Sequence, residues 1–211
     1  MITGFLVLGC MMWNWLVREW QWPAATLFSS VFLFALTPLL ASSAGADMAL
    51  IFIQLPVYML HQWEEHTGDR FRKYINRTLG RGREALTPAA TFWINSIGVW
   101  GIDLAALYLA WTLGPNAGLV AAYLAVVNAF AHVMTTLIRR EYNPGVVTAL
   151  LLFLPVGGWC LIKVGADAGW QEHLLGLATA IGVHAGIMIY VAHRLSKLPG
   201  PTTSDPGVGS L

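Results

Sequence analysis

The chain has 211 residues, of which 56% are hydrophobic and only 11% are charged, and its formal net charge is +1. Soluble domains usually carry about 25% charged residues, so the composition excludes an ordinary soluble fold and predicts a protein that lies in a lipid bilayer. The small net charge gives no reason to expect nucleic acid as a partner. The two cysteines, Cys10 and Cys160, match no metal-binding or disulfide pattern.

Apolar stretches of membrane-spanning length follow one another along the chain. A spanning helix needs about 20 mostly apolar residues, and seven stretches meet or approach that length: Ile2–Val17, Ala24–Ala41, Ala46–Trp63, Ala89–Leu113, Gly118–Ile138, Pro144–Val164 and Trp170–Ala192. We therefore predict an all-α, polytopic transmembrane bundle of about seven spans that forms one domain over residues 1–197. The Pro- and Gly-rich segment 198–211 is predicted to be a disordered cytoplasmic tail.

Basic residues are concentrated in alternate loops. They follow the third span in Arg70–Arg83, the fifth span at Arg139 and Arg140, and the seventh span at Arg194 and Lys197. The opposite loops hold neither Lys nor Arg: 42–45, 114–117 and 165–169. Because Lys and Arg accumulate on the cytoplasmic side, we expect the N-terminus outside, the C-terminus inside, and the inner (cytoplasmic) membrane of a bacterium as the location.

Several predicted spans carry polar residues that lipid-facing helices avoid. The third span ends in His61-Gln62-Trp63-Glu64-Glu65-His66, where His61 shares a helix face with Glu64 and Glu65. The fifth span places Asn128 and His132 one turn apart. Ionisable groups inside a bilayer are costly and usually face a bundle interior or a water-filled cavity, so this pattern indicates a functional site.

Depth brings three of these histidines together. Counted from the basic loops at about 1.5 Å per residue, His61 lies roughly 8 Å inside the cytoplasmic edge, His132 roughly 9 Å and His184, in the seventh span, roughly 13 Å. Since antiparallel helices place such residues at one level, the sequence predicts a single His/Glu site in the cytoplasmic half of the bundle.

Imidazole and carboxylate groups are ligands for a divalent transition metal such as Zn or Fe. We predict the metal ligands His61, Glu65, His132 and His184. Of the two glutamates, one would ligate while the other acts as a general base, so Glu64 and Glu65 are both candidate catalytic residues. Asn128 is the third catalytic candidate, because its amide can orient a substrate without adding charge.

Two further residues are expected at the mouth of the site. Asn95 reaches a similar depth from the fourth span, and Tyr142 lies in the turn Glu141-Tyr142-Asn143-Pro144-Gly145 before the sixth span. We place both among the residues that contact a bound cofactor. The expected function is a metal-dependent hydrolase that acts on a lipid or another apolar substrate from the cytoplasmic leaflet.

Two alternatives remain open at this point. His132 and His184 could be axial ligands of a haem or a chlorophyll-type pigment, which would make the chain a pigment-binding or electron-transfer subunit. The chain could also be a transporter or an accessory subunit that binds other membrane proteins. The haem or pigment alternative leaves the adjacent Glu64 and Glu65 unexplained, and the chain shows no pair of Gly- or Pro-broken spans in matching halves that would indicate a transporter.

The ordered set of motifs resembles the HXXEE-motif family of membrane proteins. The resemblance rests on His61-x-x-Glu64-Glu65, on Asn128-x-x-x-His132, on the Tyr142-x-Pro144-Gly145 turn and on the late His184. It covers the chain from about residue 61 to residue 184 and implies an integral membrane enzyme. The Trp-rich opening to about Ala41 departs from the shorter N-terminus expected of this family.

Overall fold

The described residues, 2–19 and 21–200 of this computed structural model, are helical and contain no strand. This confirms the all-α prediction. The predicted tail beyond residue 200 lies outside the described residues.

Nine helical segments of the described residues build the bundle around the candidate site. The bounds of these elements are Ile2–Trp13 (α1, followed by a π-helical segment Asn14–Arg18), Trp22–Ala44 (α2), Ala46–Phe52 (α3), Gln54–His66 (α4), Arg70–Thr78 (α5), Pro88–Leu113 (α6), Leu119–Arg139 (α7), Val146–Asp167 (α8) and Trp170–Lys197 (α9). Both α6 and α8 contain a π-helical segment, at Ile94–Trp100 and Ala149–Gly157.

Five segments among the described residues are long and apolar enough to cross a membrane. They are α2, α6, α8, α9 and Pro115–Arg139, which includes α7. The other two predicted spans coincide with shorter elements. At the N-terminus, α1 and its π-helical continuation are shorter than these five and give a shorter apolar helix, Leu6–Arg18. The predicted span Ala46–Trp63 is divided into α3 and α4.

The break between α3 and α4 falls at Ile53. Pro56 lies in the first turn of α4, where its missing N–H removes the usual hydrogen bond to the carbonyl group four residues earlier. A break at this point agrees with that loss, although Ile53 itself keeps helical dihedral angles (φ −65°, ψ −16°).

The three basic loops lie at the same end of the bundle. Arg77 pairs with Glu141 (3.1 Å), which joins the loop after α4 to the loop after α7. Arg194 at the end of α9 pairs with Glu84 (3.3 Å). These contacts place the C-terminal ends of α4, α7 and α9 beside one another, as the alternation of basic loops predicts.

The helix at the centre of this arrangement is α7, which packs against both α8 and α9. Its inward face carries fully buried alanines, Ala121, Ala122, Ala125 and Ala129. Small side chains allow neighbouring helices to approach closely. His132 follows this face by less than one turn and is therefore held inside the bundle.

Candidate metal centre

Three buried side chains converge where α4 meets α7. Glu65 Oε2 lies 3.6 Å from His61 Nε2, and Glu65 Oε1 lies 3.5 Å from His132 Nε2. One ligand atom from each residue falls within 4.8 Å of the others, and no other group of this kind occurs among the described residues. His61 is fully buried, while His132 and Glu65 are 4% and 5% exposed.

Aromatic packing fixes the two imidazole rings. The ring of His61 packs against Phe153 of α8 at a centroid distance of 4.3 Å and meets the ring of His132 edge-on at 4.9 Å. Phe71 of α5 packs against the ring of His132 at 5.9 Å. These contacts orient both rings in a dry part of the bundle, where an imidazole nitrogen has little access to water.

A chain of hydrogen bonds ends at Nδ1 of His61, the ring nitrogen farther from Glu65. The Thr148 hydroxyl group donates to Glu64 Oε2, and its oxygen lies 2.8 Å from His61 Nδ1. A hydroxyl group has one proton. Because that proton is directed at Glu64, the hydrogen bond with His61 requires Nδ1–H as its donor. The network therefore assigns the lone pair of His61 to Nε2, the atom that faces Glu65.

Glu64 is held outside the group of three. Its carboxylate accepts hydrogen bonds from the backbone N–H groups of Gly145 (3.3 Å), Val147 (3.3 Å) and Thr148 (2.7 Å). The Tyr142 hydroxyl group donates to the same carboxylate at 2.8 Å. Burial and this hydrogen bond raise the pKa of Tyr142 to about 12, so the phenol stays protonated at neutral pH. Glu64 thus joins the turn after α7 to the candidate centre.

The turn approaches the two imidazoles without a side chain of its own. Gly145 has a φ of +102°, and a Cβ atom at this position would lie 2.7 Å from His61 Cε1 and 2.8 Å from His132 Cε1. Only glycine combines this backbone conformation with such a close approach. The Tyr-x-Pro-Gly turn is therefore part of the wall of the site.

His184 lies in the cavity wall but outside the group of three. Its Nδ1 is 2.8 Å from the carbonyl oxygen of Ala180 in the same helix, so Nδ1 carries the proton and Nε2 is the acceptor. His184 and His132 line one cavity together with Glu65. The ligand cluster contains the other three predicted metal ligands.

Both predicted amide residues line the same cavity. The amide of Asn128 donates to the Tyr58 hydroxyl group at 2.7 Å, which leaves its buried Oδ1 without a hydrogen-bond partner. Asn95 accepts a hydrogen bond from Gln62 at 3.0 Å and donates to Thr91 in its own helix. Asn128 therefore keeps a buried acceptor without a partner beside the cavity, whereas Asn95 joins α6 to α4.

Sequence reasoning missed two neighbours of the centre as site residues. Thr148 fixes the proton on His61, and His66 is buried with Nε2 at 3.0 Å from Glu65 Oε2. Thr148 lies three residues after Gly145, close to the turn motif, which is the signal that could have identified it. His66 directly follows Glu65, but its position in the sequence also suits a solvated helix end.

Fold and site thus define the class of protein: it is all-helical, has helices of membrane-spanning length, and contains a buried cluster of His and Glu. The chain belongs to the HXXEE family, described as proteins of unknown function with an HXXEE motif, whose family model matches residues 52–160. The match includes His61, Glu65 and His132, whereas His184 lies beyond it. No curated protein and no solved structure is significantly similar to this chain.

Proposed function

We propose that His61, Glu65 and His132 bind a divalent transition metal, with zinc or iron as the candidates. The spacing of their ligand atoms supports this most directly. Zn–N and Zn–O bonds of about 2.0–2.1 Å in a tetrahedral site place ligand atoms about 3.4 Å apart. The nitrogen–oxygen distances here are 3.5 and 3.6 Å, each to a different oxygen of Glu65, and one ligand atom from each of the three residues lies within 4.8 Å of the others. The three side chains would move closer together to hold an ion.

The protonation pattern also suits a metal. His61 presents the lone pair of Nε2 because Thr148 accepts its other proton. Histidine ligands commonly donate their second nitrogen to such an outer partner, which fixes the tautomer and the orientation of the ring. Glu64, Thr148 and His61 form an arrangement of this kind, so we assign Glu64 to the support of the ligand rather than to the metal itself.

Three protein ligands leave the fourth position of a tetrahedral site open, as in catalytic zinc sites. A metal bound there would supply a Lewis acid and lower the pKa of water toward neutrality. His184 and Asn128 line the cavity beside Glu65 and His132, and the buried Oδ1 of Asn128 has no hydrogen-bond partner. We infer that His184 accepts a proton during the reaction and that Asn128 orients the substrate.

The cavity has a volume of about 420 Å³ and a mostly apolar lining. We therefore propose a metal-dependent hydrolase whose substrate is a lipid or another apolar molecule. We also propose seven spans, with α1 and the α3–α4 pair as the two additional ones, and with the centre in the cytoplasmic half of an inner membrane. The shared position of the basic loops supports this orientation.

The hydrolase is tested with p-nitrophenyl decanoate and p-nitrophenyl acetate as probes, on detergent-purified protein loaded with zinc. We expect hydrolysis that a chelator removes and zinc restores, with the long chain preferred because the cavity is apolar. Glu65→Gln should abolish the rate. His193→Ala, at an exposed position near the end of α9, is the matched control. Equal rates for the wild type and Glu65→Gln would contradict the proposal.

A further inference from the structure

The cavity beside the candidate metal centre runs along α7. Its wall includes Asn128, His132 and Arg139 of this helix, and Arg139 lies 11 positions after Asn128, which corresponds to about 16 Å of helix length. The apolar face of α5 lies against one side, through Phe71 and Ile75. The cavity is thus elongated, with polar groups at separate levels along an apolar wall.

Arg139 is the only Lys or Arg among the residues that line this cavity. It is the last residue of α7 and is exposed. It lies seven residues after His132, which is two helical turns on the same face and about 10 Å along the axis. The cation therefore stands at the end of the cavity that the basic loops surround.

Three other arginines at this end of the bundle have carboxylate partners, whereas Arg140, like Arg139, has none among the described residues. Arg77 pairs with Glu141 at 3.1 Å, and Arg194 pairs with Glu84 at 3.3 Å. Arg72 pairs with both Asp69 and Glu84. Arg139 has no ion-pair partner in residues 2–19 and 21–200. Its guanidinium group is therefore available to an anion from outside the chain.

We propose that the cavity binds a single-chain anionic amphiphile, with its carboxylate or phosphate group on Arg139 and its apolar chain directed past His132 toward Asn128. Guanidinium groups bind both anions through paired hydrogen bonds. A cation beside an apolar cavity at a membrane surface complements an anionic headgroup that is attached to a hydrocarbon chain. This inference rests on the proposed function, because it names the substrate class of the same site. It places the reacting bond about 10 Å from the anionic group.

The test measures binding to metal-free protein in a neutral detergent, so that its outcome does not depend on the metal. The probes are dodecyl phosphate, dodecanol and inorganic phosphate, and binding is followed by the shift in melting temperature as the probe is titrated. We expect dodecyl phosphate to stabilise the wild type more than dodecanol does, and inorganic phosphate to have no effect. Because charge-assisted hydrogen bonds are lost, Arg139→Gln should weaken dodecyl phosphate binding by about tenfold or more.

Arg140→Gln is the matched control. Arg140 is the next residue and is also exposed, but it does not line the cavity. The substitution removes the same charge as Arg139→Gln does. Arg140→Gln should bind dodecyl phosphate as tightly as the wild type does. Equal binding by Arg139→Gln and Arg140→Gln, or equal stabilisation by dodecyl phosphate and dodecanol, would overturn the proposal. Stabilisation by inorganic phosphate alone would show a free-anion site and would also overturn it. If the anion binds but the protein takes up no metal, the proposed function fails while the ligand class stands.

Discussion

Replacing Thr148 with valine tests whether the hydrogen-bonded chain behind His61 supports a metal ligand. The substitution removes the oxygen that lies 2.8 Å from His61 Nδ1 and keeps a side chain of similar shape. Glu64 retains Tyr142 and three backbone N–H groups as donors. The loss therefore falls mainly on His61, whose buried Nδ1–H would have no acceptor.

The magnitude follows from the position of Thr148 outside the ligand group. Removing an outer partner of a metal ligand typically lowers metal affinity by about 10- to 100-fold, which corresponds to about 1.4–2.8 kcal/mol. We expect zinc binding, measured by competition with a chromophoric chelator, to weaken within this range in Thr148→Val. Thr148→Ser keeps the hydroxyl group and should bind zinc nearly as tightly as the wild type does.

Thr135→Val is the control for the loss of a threonine hydroxyl group near the site. Thr135 lines the cavity but takes no part in the chain of Glu64, Thr148 and His61. It should leave zinc affinity unchanged. The reasoning is refuted if Thr148→Val binds zinc as tightly as the wild type, or if Thr148→Ser loses as much affinity as Thr148→Val.

The remaining predictions concern the turn before α8. Gly145→Ala introduces a Cβ atom 2.7 Å from His61 Cε1 at a φ of +102°, and such strain costs about 1–3 kcal/mol. We expect Gly145→Ala to lower the melting temperature and to lose its metal. Gly182 has open space around it, so Gly182→Ala should keep the melting temperature and the metal content of the wild type. Normal metal content in Gly145→Ala would be evidence against the close approach. Tyr142→Phe removes one donor to Glu64, so thermal unfolding should show a loss of about 1 kcal/mol with metal content unchanged; loss of metal would contradict the placement of Tyr142 outside the ligand group.

The sequence predicted the helical architecture and the proximity of His61 to His132 because both depend on regular spacing. Apolar stretches identify helices, and a fixed rise per residue relates His61 and His132 to the same basic boundary. Their packing edge to edge at 4.9 Å agrees with that estimate. The division of the third predicted span at Ile53 has a sign in the sequence, Pro56, but the apolar length of Ala46–Trp63 alone predicts one continuous span.

The different environments of Glu64 and Glu65 could not be predicted from their spacing. Both lie about one turn after His61, so periodicity places them on the same side of the helix. Adjacent residues nevertheless point about 100° apart around a helix, and the rotation of α4 decides which carboxylate faces His132. In the structure Glu65 faces the two imidazoles, while Glu64 faces the turn at Gly145.

The direction of the His184 side chain also could not be predicted from the sequence. His184 lines the same cavity as His132. The hydrogen bond of its Nδ1 with Ala180 in the same helix determines where the other nitrogen points. A side-chain rotamer of this kind leaves no periodic trace in the sequence, so depth alone could not separate a ligand from a neighbour of the substrate.

The metal content of purified protein tests the central claim most directly. Wild type, His61→Ala, His132→Ala, Glu65→Gln and His184→Ala would be reconstituted with zinc, freed of excess ion and measured by elemental analysis. We predict one equivalent of zinc in the wild type and in His184→Ala, and little or none in the other three variants. Equal zinc in all five proteins, or a wild type that stays metal-free with both zinc and iron, would contradict the proposed centre.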